Sequence, residues 1–219
     1  MTGHDAGHYY GLYPAIVTDL VDPERLGRVQ VSLPWLGGGA GGGTDVRVWA
    51  TLLSPYADDG QGLQVLPEAG TEVVVGCEGG NPRRLYIVGS AWNGRESMPV
   101  TPTRPNNKRV LRSRAHSKLE FDDAPGAATV TLSTDHGHKV VLDEGAQQIE
   151  ITHSGGSRIV LAASGQIQIT ANATVEVSAA SLNVHAATAV FDGSVSCTQL
   201  TASVGVVTPS YTPGAGNVW

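Results

Sequence analysis

The chain has 219 residues, of which 20 are Asp or Glu and 14 are Lys or Arg, giving a formal net charge of −6 at pH 7. This acidic balance argues against bulk binding to nucleic acid or to anionic membranes. No apolar run is long enough for a membrane span, and the N-terminal stretch MTGHDAGHYY lacks the apolar core of a signal peptide. The two cysteines, Cys77 and Cys197, lie far apart, so we expect no disulfide framework and a chain that folds in the cytoplasm.

Five runs of alternating apolar residues occupy the N-terminal part of the chain, and each is typical of a short strand with one buried face. They are YPAIVTDL, RVQVSLPW, VRVWATLL, TEVVVGCE and RRLYIVGS, with a glycine-rich loop, GGGAGGG, at residues 37–43. Five strands in this length fit a small closed barrel of the OB type. We therefore predict an OB-fold barrel over residues 1–92 with a meander-like strand order, and a short sandwich is the alternative.

Residues 93–117 contain three prolines and a run of basic side chains, and this composition predicts a linker between two domains. A solvated connector is the simpler interpretation of the charges. The sharper interpretation is a ring of ion pairs between neighbouring chains, because acidic residues follow the basic ones at once. Its candidate members are Arg112, Arg114, Lys118, Glu120, Asp122 and Asp123. Nucleic-acid binding is a third alternative, and the lack of interleaved aromatic residues in this stretch argues against it.

Residues 118–207 form a sequence repeat, in which apolar, strand-like centres recur at an interval that shortens from about ten residues to about eight. The centres are Leu119, Val130, Val140, Ile149, Ile159, Ile167, Val175, Leu182 and Val190. Small or polar residues stand between them, and a fixed period of this kind is typical of a solenoid or a fibre. We predict a β-helix shaft over residues 118–207 and a C-terminal tip segment over residues 208–219.

Each repeat unit supplies one strand with one apolar face, and that face must be covered. A single chain that winds three units into each turn is one solution, and three chains that each supply one side of a prism are the other. We favour three chains, because the interior residues are aliphatic, the corners are short, and no capping helix is visible in the sequence at either end of the repeat. The predicted trimer core comprises Ile159, Leu161, Ile167, Ile169, Val175, Val177, Leu182 and Val184.

Several motifs resemble those of contractile-tail spike proteins, a family that includes phage baseplate assembly protein V, the central spikes of tailed phages and the VgrG proteins of type VI secretion. The most specific motifs are DPERLGRVQVSLPW, PEAGTEVVVG and YIVGSAWNG. RSRAHSKLEFDD is similar to the entry into the family's β-helix, and SYTPGAGNVW is similar to the C-terminal tip of some members. The chain departs from the family pattern at Cys77, Asn81 and Leu85, where an aromatic residue, Asp and Pro are common, and these changes are conservative for the fold.

The resemblance implies an all-β protein in which the OB-fold barrel is followed by an intertwined trimeric β-helix, or β-prism, shaft. It also implies a homotrimer that contacts the tail hub, the baseplate and the tube proteins, with a PAAR-repeat protein at its tip. Such a spike would assemble in the cytoplasm and become part of a phage tail or an injection-system particle. The candidate tip-binding residues are Pro209, Tyr211, Pro213 and Trp219.

We expect no catalytic residue, no metal site and no cofactor. The motif HGH at residues 136–138 has the spacing of metal ligands, but it lies early in the repeat, where a turn is the better interpretation. His153 beside Ser154 lacks the G-x-S-x-G context of a hydrolase, and adjacent carboxylates such as Asp58 and Asp59 point to opposite faces of a strand. The predicted function is mechanical, that of a membrane-puncturing spike. The rival predictions are a β-helical polysaccharide-degrading enzyme and an OB-fold nucleic-acid-binding module.

Overall fold

The computed structural model describes residues 8–36 and 45–208, and within these ranges every regular element except one is a β-strand. The predicted all-β class is therefore confirmed. The exception is a single turn of 3-10 helix, Glu78–Gly80, and no helix in the described ranges is long and apolar enough to cross a membrane. The chain divides into two compact units, residues 1–172 and residues 173–219. The strands are β1 (Leu12–Asp19), β2 (Arg28–Ser32), β3 (Arg47–Leu52), β4 (Ala57–Asp58), β5 (Gln61–Gly62), β6 (Glu72–Cys77), β7 (Leu85–Ser90), β8 (Lys108–Arg112), β9 (Lys118–Asp122), β10 (Thr129–Ser133), β11 (Lys139–Asp143), β12 (Gln148–Thr152), β13 (Arg158–Leu161) and β14 (Ile167–Thr170).

The first unit begins with a closed barrel formed by β1, β2, β3, β7 and β6, in that order. β1 pairs in antiparallel fashion with β2 on one side and with β6 on the other. Since the ring of strands closes on β1, the predicted five-stranded barrel is confirmed and the alternative sandwich is wrong. The order is not a simple meander, because β3 and β7 pair in parallel, with Thr51 opposite Tyr86 and Leu52 opposite Ile87.

Alternate residues of the barrel strands point inward and build one aliphatic core. In β1 the inward residues are Ala15 and Val17, in β6 they are Val73 and Val75, and all four are at most 1% exposed. The other buried core residues are Val29, Val31, Leu33, Ala50, Leu85 and Ile87. The barrel therefore has a core of its own, as the self-contained apolar pattern of its strands predicts.

An aromatic cluster packs beside this core. The rings of Tyr13 and Trp35 stack with 4.3 Å between their centroids, and the ring of Tyr9 contacts both of them. The indole Nε1 of Trp35 donates a hydrogen bond to the carbonyl oxygen of Pro14 at 2.9 Å. Because Pro14 lies in β1, this bond ties the segment that follows β2 to the first strand of the barrel.

The connection from β1 to β2 is organised by Asp22, whose side chain is only 3% exposed. Its carboxylate accepts hydrogen bonds from the backbone N–H groups of Glu24 and Leu26, and it forms a two-point ion pair with the guanidinium of Arg28 at 2.8 and 2.9 Å. These contacts, that with the Arg28 side chain first, hold the pKa of Asp22 well below its ordinary value. Gly27 completes the turn with a φ of 71°, a conformation that favours glycine. The motif DPERLG is therefore a turn fixed by one carboxylate.

β8 to β14 form a seven-stranded sheet, in which each strand pairs in antiparallel fashion with the next strand along the chain. β8 lies inside the segment predicted as a linker, so the connection between barrel and sheet is shorter than the sequence predicts. The reason is that Val110 and Leu111 are the apolar residues of β8, and the charges that flank them hide the alternation. Within one chain this region is an open antiparallel sheet and not a coiled β-helix.

Residues 173–208 are the described part of the second unit, and they contain no strand. The sequence predicts strands centred at Val175, Leu182 and Val190, and the single chain does not form them. These three side chains are 59%, 69% and 78% exposed. A strand needs a hydrogen-bonding neighbour, and the described part of this chain supplies none to the segment.

Candidate assembly interface

One face of the seven-stranded sheet is almost entirely apolar. Side chains alternate between the two faces of a strand, and the register of the seven strands aligns two rows of large apolar side chains on the same face. This apolar face comprises Leu111, Leu119, Phe121, Val130, Leu132, Val140, Leu142, Ile149, Ile151, Ile159, Leu161, Ile167 and Ile169. Arg109, opposite Phe121, occupies the remaining position of the first row.

The apolar face is open to solvent in the single chain. Leu132 is 56% exposed and Ile167 is 66% exposed, and no element of the described chain covers them. Contiguous apolar patches of this extent on soluble proteins mark contacts with another molecule. Complete burial of one such side chain contributes roughly 1.5–3 kcal/mol. The face therefore carries a large driving force for association.

Four of the eight residues of the predicted trimer core lie on this face. In β13 and β14, Ile159 is opposite Ile169 and Leu161 is opposite Ile167. The other four, which lie between residues 173 and 208 and outside any strand, are Val175, Val177, Leu182 and Val184. The strand register adds nine residues from β8 to β12 to this face, four of which, Leu119, Val130, Val140 and Ile149, are centres of the predicted repeat. The predicted tip-binding residues, Pro209, Tyr211, Pro213 and Trp219, lie outside the described residues.

The opposite face of the sheet carries polar and charged side chains together with Val110, Val141 and Val160, of which Val160 is only 6% exposed. Glu120 stands at the centre of the charge network on this face. The Glu120 carboxylate accepts hydrogen bonds from the Nζ atoms of Lys108 and Lys118, both at 2.9 Å, and the Glu120 side chain is only 13% exposed. These two ammonium groups, that of Lys118 first, lower the pKa of Glu120. Farther along the same face, Nε of Arg158 lies 3.8 Å from an oxygen of Glu150.

The residues predicted to form ion pairs between chains find partners within one chain, with one exception. The pairs are Lys118–Glu120 at 2.9 Å, Lys108–Asp122 at 3.3 Å, Arg109–Asp123 at 2.6 Å and Arg114–Glu68 at 3.1 Å. Five of the six predicted members therefore have an ion-pair partner within the single chain, supplied by neighbouring strands and a barrel loop, and pairing between chains stays a prediction. Among the described residues, Arg112 has no ion-pair partner.

Histidines lie at the hairpin turns along one edge of the sheet, and the HGH motif falls in the turn between β10 and β11. The rings of His138 and His153 are 4.5 Å apart between centroids. Nδ1 of His153 accepts a hydrogen bond from the backbone N–H of Gly155 at 2.9 Å, and Nδ1 of His138 accepts a longer one, 3.4 Å, from the backbone N–H of Ser154. The Nδ1 lone pairs that a metal ion or a general base would use are thus engaged in the turns. No group of three potential metal ligands is present in residues 8–36 and 45–208.

Two polar residues that fix the connections of the barrel were not singled out from the sequence, although both lie in the quoted motifs. One is Asp22, described above. The other is Asn93, whose Nδ2 donates a hydrogen bond to a carboxylate oxygen of Glu72 at 2.8 Å and whose Oδ1 accepts one from the backbone N–H of Arg95. Because Glu72 begins β6, Asn93 fixes the direction in which the chain leaves the barrel.

Residues 13–92 match the family model described as the type VI secretion system/phage-baseplate injector OB domain. The match starts within β1 and ends two residues after β7, so it coincides with the closed barrel. The barrel is therefore similar to the baseplate-injector OB domain, and the match supports the resemblance to contractile-tail spikes. None of the curated proteins compared with the chain matches it. The domain indicates a structural role in the baseplate of a phage tail or an injection particle.

Proposed function

We propose that the protein is a homotrimeric, membrane-puncturing spike at the centre of the baseplate, comparable to phage baseplate assembly protein V or VgrG. The role is mechanical and not catalytic. The observation that carries the proposal is the uncovered apolar face of the sheet, on a chain whose barrel is similar to the baseplate-injector OB domain.

Three copies would turn their apolar faces toward a common axis, so that each face is covered by the other two. Phe121 is the one aromatic residue among the thirteen large apolar residues of the face, and aliphatic side chains suit the narrow interior of such a prism. Burial of the thirteen residues gains tens of kcal/mol per chain, of which conformational entropy offsets the larger part. An isolated chain obtains none of this gain.

The same proposal accounts for residues 173–208. Their sequence continues the repeat of the shaft, yet the single chain gives them no strand partner. In the proposed trimer the other two copies supply the partners, and the three segments wind around one another as a β-helix. Backbone N–H and C=O groups would then be paired, and Val175, Leu182 and the apolar residues between them would be buried.

A shaft of this kind is stiff, because its backbone is hydrogen-bonded along its whole length. The barrels would hold the three chains on the tail hub and the tube proteins, and the shaft would transmit the thrust of sheath contraction to a small tip at the target envelope. Residues 208–219 would seat a PAAR-repeat tip protein. Deletion of residues 209–219 is expected to abolish binding of such a protein and to leave the trimer intact, and retained binding would contradict this assignment.

The molar mass in dilute solution tests the central claim. Light scattering is expected to give about 68 kDa, three times the chain mass of 22.7 kDa. A folded chain of 22.7 kDa that melts cooperatively would contradict the proposal, and so would a stable dimer. A turnover assay on peptidoglycan and other glycans tests the non-catalytic part, since product release above the buffer blank would show an enzyme.

A further inference from the structure

The two turn-bearing edges of the seven-stranded sheet carry opposite charges. We call the edge with the β8–β9, β10–β11 and β12–β13 turns the basic edge, and the edge with the β9–β10 and β11–β12 turns the acidic edge. The basic edge carries the cations Arg112, Arg114, Lys118, Lys139 and Arg158. The acidic edge carries Asp122, Asp123, Asp143 and Glu144.

Most of the charges at the two edges are already paired within the chain. At the basic edge, Arg114, Lys118 and Arg158 contact carboxylates of Glu68, Glu120 and Glu150, and at the acidic edge Asp122 and Asp123 contact Lys108 and Arg109. Asp135, the carboxylate in the β10–β11 turn, contacts a ring nitrogen of His116 at 3.1 Å. Among the described residues, the cations of the basic edge without an ion pair are Arg112 and Lys139, and the carboxylates of the acidic edge without one are Asp143 and Glu144.

β11 shows the segregation most clearly, because it runs from the basic edge to the acidic edge and reads KVVLD. Lys139 and Asp143 stand at its two ends, about 13 Å apart in an extended strand, so they do not reach each other. Within the part of the chain that the structure describes, neither of them, nor the adjacent Glu144, belongs to an ion pair. β9 has the same pattern, KLEFD, but its two end charges are paired within the chain.

A cavity of 560 Å³ opens at the acidic edge. Asp143 and Glu144 line it together with Phe121 and Leu142 of the apolar face. A carboxylate rim beside apolar residues fits a side chain with an aliphatic stem and a cationic head. Lys139, at the other end of the same strand, is such a side chain and is exposed.

We propose that the basic edge of one copy binds the acidic edge of the next copy, head to tail around the trimer axis, with Lys139 against Asp143 and Glu144 of its neighbour. The inference rests on the proposed homotrimer and names the contact that orients its copies. In a three-fold ring every interface joins two different surfaces of the chain, and a sheet with unlike edges provides two such surfaces. Contact between like edges would instead bring like charges together, which is unfavourable.

Disulfide trapping tests this contact in the full-length chain, with Cys77 and Cys197 replaced by serine. The double variant Lys139→Cys/Asp143→Cys is expected to give covalent trimers on a non-reducing gel after mild oxidation. Each single variant is expected to remain a 22.7 kDa band, because each new thiol then faces a residue without one. A bond within one chain is excluded by the reach of a disulfide, whose Cα atoms are less than about 7 Å apart.

Covalent dimers from the Lys139→Cys single variant would overturn the proposal, since they require like edges to meet. A particle of trimeric mass whose double variant cross-links neither on oxidation nor with a short bismaleimide, whose reach covers the span of a Lys–Asp pair, would also overturn it, while leaving the homotrimer intact. A monomeric mass would remove the homotrimer and this contact together.

Charge reversal provides a second measurement on the same pair. Lys139→Glu is expected to raise the concentration at which half of the trimer dissociates by about fivefold or more, since it places like charges at three interfaces. The double variant Lys139→Glu/Asp143→Lys is expected to recover part of the lost affinity, because the pair at positions 139 and 143 is formed again with its signs exchanged while Glu144 is unchanged. Equal dissociation of the single and double variants would contradict a direct contact.

Discussion

Arg109 and Asp123 form an ion pair of 2.6 Å at the point where the apolar face of the sheet begins. The guanidinium of Arg109 also donates hydrogen bonds to the backbone carbonyls of Asn106 and Asn107. The strand register places Arg109 beside Phe121 on the apolar face, so these contacts draw the one charged side chain of that face toward the edge of the sheet.

Removal of this ion pair is expected to have a small effect on stability. Both side chains are more than half exposed, so Asp123→Asn should lower the free energy of unfolding by less than about 1 kcal/mol. A double-mutant cycle with Arg109→Gln, followed by urea denaturation, measures the coupling between the two residues. A coupling energy above about 2 kcal/mol would show that the pair is less exposed in the assembled protein than in the single chain.

The aliphatic core of the barrel should respond strongly to truncation. Ile87 is fully buried, and Ile87→Ala is expected to lower the free energy of unfolding of the barrel by about 2–5 kcal/mol. Its neighbour Val88 is 52% exposed, and Val88→Ala should cost less than about 1 kcal/mol. Urea denaturation followed by tryptophan fluorescence checks the contrast, and equal losses for the two variants would contradict the assigned inward face of β7.

A charge on the apolar face should prevent assembly, whereas a charge on the polar face of the same strand should not. Ile167→Glu in β14 is expected to leave a chain of monomeric mass or an aggregate, because burial of a carboxylate among apolar side chains is strongly unfavourable. Gln168→Glu adds the same charge one residue later, on the other face of the strand, and is expected to keep the oligomer of the unmodified chain. Light scattering of both variants measures the difference, and an intact oligomer for Ile167→Glu would rule out this face as the interface.

Acid should destabilise the protein through two paired carboxylates. The pKa values of Asp22 and Glu120 are lowered in the folded chain, chiefly by Arg28 and by Lys118 respectively. A carboxylate with a lowered folded pKa contributes its full stability above the unfolded value, about 4, and loses it as the pH falls through the folded value. Urea midpoints measured between about pH 6 and pH 2 should therefore fall with acidification.

Glu120→Gln is expected to make the urea midpoint fall less steeply between pH 6 and pH 2. Glu96→Gln, at an exposed residue of the connector, is the control and should leave the fall of the midpoint unchanged. Asp22→Asn should weaken the dependence and should also lower the midpoint at neutral pH, because Asp22 holds the β1–β2 turn together. If the urea midpoint of Glu120→Gln fell with pH as steeply as that of the unmodified protein, Lys108 and Lys118 would not form ion pairs with Glu120 in solution.

The barrel could be predicted from the sequence because its strands carry their own alternation and close on one another within the chain. Residues such as Val29 and Val31, or Val73 and Val75, mark the inward face by spacing alone. The parallel pairing of β3 with β7 could not be predicted in this way, since alternation specifies a face of a strand and not its neighbour. The meander-like order was wrong for that reason.

The partners of the charged residues and the strand at which the sheet ends were harder to predict from the sequence. The partner of Asp123 is Arg109, fourteen residues earlier, and only the hairpin register brings the two side chains together. Residues 171–208 keep the apolar repeat but form no strand, because a periodic sequence does not say which chain supplies the neighbouring strand. Four of the eight predicted core residues therefore lie where the single chain offers them no partner.

The barrel is a closed ring of strands, whereas the seven-stranded sheet is open and ends at β14. Closure of β1 on β6 pairs both flanks of every barrel strand, whereas the outer flank of β14 has no strand partner in residues 8–36 and 45–208, and its four residues are exposed. A truncated chain that ends near Thr170, whether from proteolysis or from stalled synthesis, would keep that free flank of β14 and the apolar face of the sheet. Such fragments would pair through their free strand flanks and are expected to aggregate.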